Sequence, residues 1–93
     1  MEIEITYDDY LNSCQNFMDS ERCPLATAMK RILANDNIEV GTYSIYDKKL
    51  DKEIGRLTTP FGIDNYDELK YNQTTFKTTY TENEEVTEPA SSL

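Results

Sequence analysis

Polar and apolar side chains alternate over the first six residues. Ile3 and Ile5 fall on one face of this segment together with Met1, while Glu2 and Glu4 fall on the other. A period of two is typical of a strand with one buried face. The pattern predicts an N-terminal β-strand whose acidic side chains point to solvent.

The spacing changes after Thr6, which is a predicted helix N-cap. Asp9 stands three residues later in the capping-box position, and Asp8 lies close to the positive end of the helix dipole. We expect this helix to end near Asp19-Ser20. Its predicted apolar face consists of Tyr7, Tyr10, Leu11, Cys14, Phe17 and Met18.

A second helix is predicted from Pro24, because proline suits the first helical position. Thr27, Lys30 and Arg31 should point outward, and Asn35-Asp36-Asn37 should end the helix. Its core-facing stripe is predicted to be Leu25, Met29, Ile32 and Leu33.

The rest of the chain favours strands. Residues 38–46 alternate like a strand with a β-bulge at Gly41. The segment Lys48 to Leu57 matches either a helix or a turn and a strand, with the strand slightly favoured. Residues 58–72 are mostly irregular with one helical turn at 64–69, and residues 73–81 are typical of a strand.

These elements predict an α+β domain over residues 1–81. Its two N-terminal helices would pack on one face of a small, mostly antiparallel sheet. Residues 82–93 have the composition of a disordered acidic tail.

The net charge of −9 is distributed unevenly. Residues 1–22 contain six acids and one base, residues 81–93 contain four acids and no base, and the middle is neutral. This excess of acids argues against direct nucleic-acid binding and favours a basic partner. The sequence also contains neither an apolar run long enough to cross a membrane nor a signal pattern, so we expect a cytoplasmic protein.

The residue types needed for common catalytic sites are missing. The chain has no His, its glycines are isolated, and Cys14 and Cys23 do not form a Cys-x-x-Cys pair. We therefore expect free thiols, no cofactor, no metal and no enzymatic activity. A reactive Cys23 thiol at the helix start is an alternative hypothesis. The position of Cys23 is explained more simply if it is a small residue that is buried where the helix begins.

Acidic and tyrosine side chains together favour a protein-binding surface. Seven tyrosines are too many to bury in a core of this size, and tyrosine is enriched at protein interfaces. The candidate contact residues are Glu2, Glu4, Asp8, Asp9, Asp19, Glu21, Tyr7 and Tyr10.

The segment Cys23-Pro24-Leu25-Ala26-Thr27-Ala28-Met29-Lys30-Arg31 resembles a pattern in small bacteriophage proteins. In those proteins a strand and a helix precede the pattern, and a Val-Gly strand follows it, as at Val40-Gly41 here. The resemblance covers about residues 1–46. It implies a phage protein that binds and modulates or inhibits a host protein, such as nucleic-acid-handling or defence machinery.

Two functions follow as hypotheses. The first is a non-enzymatic, phage-encoded acidic protein that binds a host protein, with mimicry of nucleic acid as one version. The alternative is a domain that sequesters a small ligand or nucleotide in a pocket between helices and sheet.

Overall fold

The computed structural model describes residues 1–83. Its strands are β1 (Glu2–Ile5), β2 (Ile38–Val40), β3 (Ser44–Asp47), β4 (Lys52–Leu57) and β5 (Phe76–Glu82). Its helices are α1 (Tyr7–Asn12), α2 (Pro24–Leu33) and α3 (Ile63–Asn72). The predicted acidic tail lies outside the described residues from position 84 onward, and its expected first residue, Glu82, is the last residue of β5.

The strands form one antiparallel sheet in the order β1-β5-β4-β3-β2. Helix α2 contacts both edge strands, β1 and β2, so the sheet curls around it. The predicted α+β class is confirmed. The core between the sheet and the helices includes Ile5, Met29, Ile38, Ile45 and Leu69, all of which are fully buried.

Helix α2 has the predicted start and buried stripe. The Cys23 thiol accepts a hydrogen bond from the Ala26 N–H (3.4 Å), and Pro24 occupies the first turn. Of the predicted stripe, Leu25 and Met29 are buried in the core, whereas Ile32 and Leu33 are only partly buried against it. The helix ends at Leu33, and its C-cap Ala34 adopts a left-handed conformation one residue before the predicted Asn-Asp-Asn stop.

Helix α1 has the predicted capping box but is shorter than predicted. It ends at Asn12, and the expected end near Asp19-Ser20 is wrong. The Ser13 hydroxyl donates to the Tyr10 carbonyl (2.6 Å) and accepts from the Gln15 N–H (2.9 Å), which turns the chain away from the helix axis. The expected apolar face is therefore broken, and Met18 is 81% exposed.

The predicted bulge at Gly41 is also wrong. Residues 38–47 form a β-hairpin, in which the Gly41 N–H donates to the Ser44 carbonyl (2.9 Å) and Val40 pairs with Ile45. The irregular register occurs instead between β3 and β4. The strand reading of the next segment is correct, because a turn closed by the Asp47 carboxylate leads into β4.

Aromatic side chains join the helices to the sheet. Neighbouring rings lie 5.2 to 6.2 Å apart in tilted, edge-on or stacked contacts, which are favourable geometries for aromatic pairs. Helix α3, expected only as one turn, carries the buried Tyr66 into this group. The contacting rings are those of Tyr7, Tyr10, Tyr66, Phe17, Phe61 and Phe76.

Candidate partner-binding surface

Strand β1 directs two carboxylates to solvent. Ile3 and Ile5 are buried, so the alternation of the strand places Glu2 and Glu4 on the outer face, and both are exposed. The carboxylate of Glu4 lies 4.0 Å from the Lys77 ammonium on β5, and both side chains are more than half exposed. This is a weak ion pair, which leaves most of the negative charge accessible.

Asp8 adds a third exposed carboxylate, on the first turn of α1. Within residues 1–83, neither Asp8 nor Glu2 has a basic side chain within ion-pair distance. We call Glu2, Glu4 and Asp8 the β1 carboxylates, because two of them lie on β1 and Asp8 follows the end of that strand by three residues.

Asp9, in contrast, is used inside the fold. Its carboxylate is 4% exposed; it accepts from the Thr6 N–H (2.9 Å) and from Arg31 Nε and Nη2 (3.0 and 2.8 Å). The hydrogen bond to Asp9 raises the pKa of Arg31. Arg31 Nη2 also donates to the Glu4 carbonyl (3.2 Å), so Asp9 links β1, α1 and α2. Asp9 is therefore not part of the candidate surface.

The two predicted tyrosines differ in access. Tyr10 is buried, and its ring contacts those of Tyr7 and Tyr66. Tyr7 stacks on Tyr10 with centroids 5.7 Å apart and remains partly exposed. Of these two tyrosines, only Tyr7, the sequence neighbour of Asp8, therefore offers accessible contact area.

The structure places Asp19 and Glu21 at the other edge of the sheet. Between them, the Ser20 carbonyl accepts the Val40 N–H of β2 (2.8 Å). Strands β1 and β2 lie at opposite ends of the strand order, so these acids do not belong to the group around β1.

Both of these acids also have cation partners. Asp19 accepts the N–H groups of Glu21 and Arg22 and pairs with the Arg22 guanidinium (3.1 Å). The backbone hydrogen bond from Glu21 is the main cause that lowers the pKa of Asp19. Glu21 pairs with Lys48 (2.7 Å), whose hydrogen bond lowers the pKa of the Glu21 carboxyl. Their charge is therefore largely compensated.

The structure has an apolar cleft whose position and lining residues the sequence did not reveal. It encloses about 250 Å³ between the α1–α2 connection, the start of α2 and the β2–β3 hairpin. A signal was present in Phe17-Met18, an apolar pair in an otherwise polar segment, but the expected long helix assigned both residues to its buried face. The cleft is lined by Phe17, Met18, Ser20, Cys23, Leu25, Val40, Gly41, Thr42, Phe61 and Gly62.

The two cysteines are free thiols in different environments. Cys23 is buried, and burial raises the pKa of its thiol, which disfavours the nucleophilic thiolate. Cys14 is exposed, contrary to the expectation that it packs in the core. The geometry of Cys23 fits a structural N-cap.

Among residues 1–83, no three His, Cys, Asp or Glu side chains are grouped so that they could hold a metal ion. The helices of this part of the chain are also too short or too polar to cross a membrane. Comparisons with protein families, with curated proteins and with solved structures found no match to this chain.

Proposed function

We propose that this protein is a non-enzymatic, phage-encoded binding protein that modulates or inhibits a host protein in the host cytoplasm. The β1 carboxylates would contact a basic surface of that host protein, with Tyr7 at the side. One observation carries the proposal. Within residues 1–83, Glu2 and Asp8 are exposed without a cation in ion-pair distance and Glu4 has one only at 4.0 Å, whereas Asp9, Asp19 and Glu21 are paired at 2.7 to 3.1 Å.

The charge distribution supports a basic partner. Residues 1–22 contain six acids and one base, and Glu2, Glu4 and Asp8 are the three of these acids that have no close cation within residues 1–83. Such a field accelerates association with a positively charged surface and disfavours acidic partners. The resemblance of residues 23–31 to phage proteins supports the proposed origin and the host target.

A nucleic-acid-binding protein is the target class that fits this chemistry best. Its binding groove is basic, and exposed carboxylates can occupy the positions of phosphates. Under this version of the proposal, DNA or RNA competes with the protein for its target. The complex also weakens steeply as salt rises, because the contacts are solvent-exposed ion pairs.

A charge-matched comparison tests the proposal. The variant Glu2→Gln/Glu4→Gln/Asp8→Asn removes the β1 carboxylates. A control, Asp36→Asn/Asp64→Asn/Asp67→Asn, removes the same charge from other exposed positions. Three exposed ion pairs of about 0.5 kcal/mol each predict roughly tenfold weaker binding of the first variant to the host target.

The target is first captured from bacterial lysate and identified by mass spectrometry, and affinities are then measured with the purified target. The proposal expects the control to bind almost as well as the wild type. Equal losses in both variants would show a dependence on net charge alone and would contradict the assignment to β1. A salt-insensitive complex would also contradict it.

The apolar cleft favours a second candidate function, binding of a small apolar molecule. Its volume of about 250 Å³ is below the usual range for drug-sized ligands, about 300–1,000 Å³. Its lining has no Lys or Arg to bind a phosphate, which disfavours the nucleotide version of this hypothesis. A thermal-shift screen that compares nucleotides with benzene-sized apolar compounds tests it, because a bound ligand raises the unfolding temperature.

A further inference from the structure

The outer edge of β1 presents unpaired backbone groups. The Met1 amino group donates to the Tyr80 carbonyl (2.9 Å), and the Tyr80 N–H donates to the Met1 carbonyl (2.7 Å). Paired residues of an antiparallel ladder alternate between bonded and non-bonded positions. The main-chain groups of Ile3 therefore face β5, whereas those of Glu2 and Glu4 point away from the sheet.

Only one of these outward groups is occupied within residues 1–83. The Glu4 carbonyl accepts from Arg31 Nη2 (3.2 Å), while the Glu2 N–H, the Glu2 carbonyl and the Glu4 N–H have no partner there. At the opposite edge, the outward Val40 N–H of β2 is bonded to the Ser20 carbonyl, so there the α1–α2 connection lies against the strand. The β1 edge is thus a short, open template for another strand.

We infer that an extended segment of the host protein, with Lys or Arg at alternate positions, adds antiparallel to β1. This inference rests on the proposed function and specifies the shape of the partner. Side chains directly opposite Glu2 and Glu4 share their outer face, so basic residues there meet carboxylates. The partner residues between these basic positions lie on the other face of the sheet, which carries the side chain of Met1. Met1 is 64% exposed and offers apolar contact.

Charge excludes the two other occupants that the chain itself could supply. A second copy paired antiparallel through β1 would place glutamates opposite glutamates, which is destabilising. Residues 84–93 contain three acids and no base, so they carry the wrong charge for this edge. A basic strand from another protein is the occupant whose charge complements the edge.

Backbone-methylated peptides separate strand addition from simple charge attraction. The probe is a fluorescein-labelled Lys-Val-Lys-Val-Lys amide, with binding followed by anisotropy. In the proposed register the lysine N–H groups point toward β1 and the valine N–H groups point away. We expect methylation of the lysine backbone nitrogens to weaken binding about fivefold or more. Methylation of the valine backbone nitrogens should have a much smaller effect.

The protein side offers a matched test. Glu4→Pro removes the outward N–H and the charge together, whereas Glu4→Gln removes the charge alone; proline is tolerated where a strand N–H faces solvent. Glu4→Pro should bind the peptide several-fold more weakly than Glu4→Gln. Circular dichroism and the unfolding midpoint check that both variants are folded. If the proline variant does not fold, the methylated peptides still test strand addition on the wild-type protein.

The outcomes distinguish the two proposals. If both methylated peptides bind as tightly as the parent, strand addition is overturned while the acidic contact stands. If loss of the β1 carboxylates changes neither the affinity for the unmodified peptide nor the affinity for the host target, the proposed function fails as well.

Discussion

Of the three glycines, Gly55 has the least room for a side chain. A Cβ added there would lie 2.5 Å from Cζ and Oη of Tyr80, on the neighbouring strand β5. Tyr80 is 3% exposed and its hydroxyl donates to the Ile54 carbonyl (3.3 Å), so the ring cannot move aside without disturbing the core. We therefore expect Gly55→Ala to destabilise the protein.

The magnitude follows from the cost of overpacking, about 1–3 kcal/mol. A loss of about 2 kcal/mol corresponds to a fall in Tm of about 8–16 °C for a chain of this size. Urea unfolding followed by circular dichroism measures the change. Gly41→Ala is the control, because its Cβ would lie 3.7 Å from the nearest atom, an ordinary contact, and should change stability by less than about 0.5 kcal/mol.

A double variant identifies the cause. If the Tyr80 ring is the obstacle, Gly55→Ala/Tyr80→Leu should be more stable than the sum of the single effects by about 1 kcal/mol. Additive effects, or a neutral Gly55→Ala, would refute the proposed packing of this ring over β4.

Two further predictions concern carboxylates. Asp9→Ala, which removes the capping box and the ion pair to Arg31, should lower the unfolding free energy by about 2–3 kcal/mol in urea unfolding, whereas Asp8→Ala should change it by less than about 0.5 kcal/mol. The Asn35 amide, followed by backbone N–H groups, lowers the pKa of Asp47, so this carboxylate stabilises the fold above its unfolded pKa of about 3.9. That contribution is lost as the pH falls through the lower folded pKa, and Tm measured from pH 6 to pH 2 should therefore fall more steeply for the wild type than for Asp47→Asn; parallel curves would contradict this linkage.

Local signals predicted the elements that depend on local chemistry. The capping box at Thr6 and the proline start of α2 are confirmed, because each satisfies backbone donors within one turn. The end of α1 was missed because the Ser13 hydroxyl competes for backbone groups that a helix would use. The hairpin at Gly41 was missed because a bulge and a tight turn shift the alternation of side chains similarly.

The candidate surface was predicted only in part, because exposure depends on tertiary partners. Sequence reasoning identified Glu2, Glu4 and Asp8 as acidic positions, and the structure leaves them exposed. The sequence alone does not show that Arg31, 22 residues away, pairs with the carboxylate of Asp9. The same limit applies to Glu21, whose partner Lys48 lies in a different turn.

The salt dependence of target binding tests the central claim most directly. Affinity of the purified host target is measured from low to high salt for the wild type, for Glu2→Gln/Glu4→Gln/Asp8→Asn and for the Asp36→Asn/Asp64→Asn/Asp67→Asn control. We predict a steep loss of wild-type affinity with salt, a shallower slope and roughly tenfold weaker binding at low salt for the first variant, and nearly wild-type behaviour for the control. Identical curves for the three proteins would contradict a binding surface built on the β1 carboxylates.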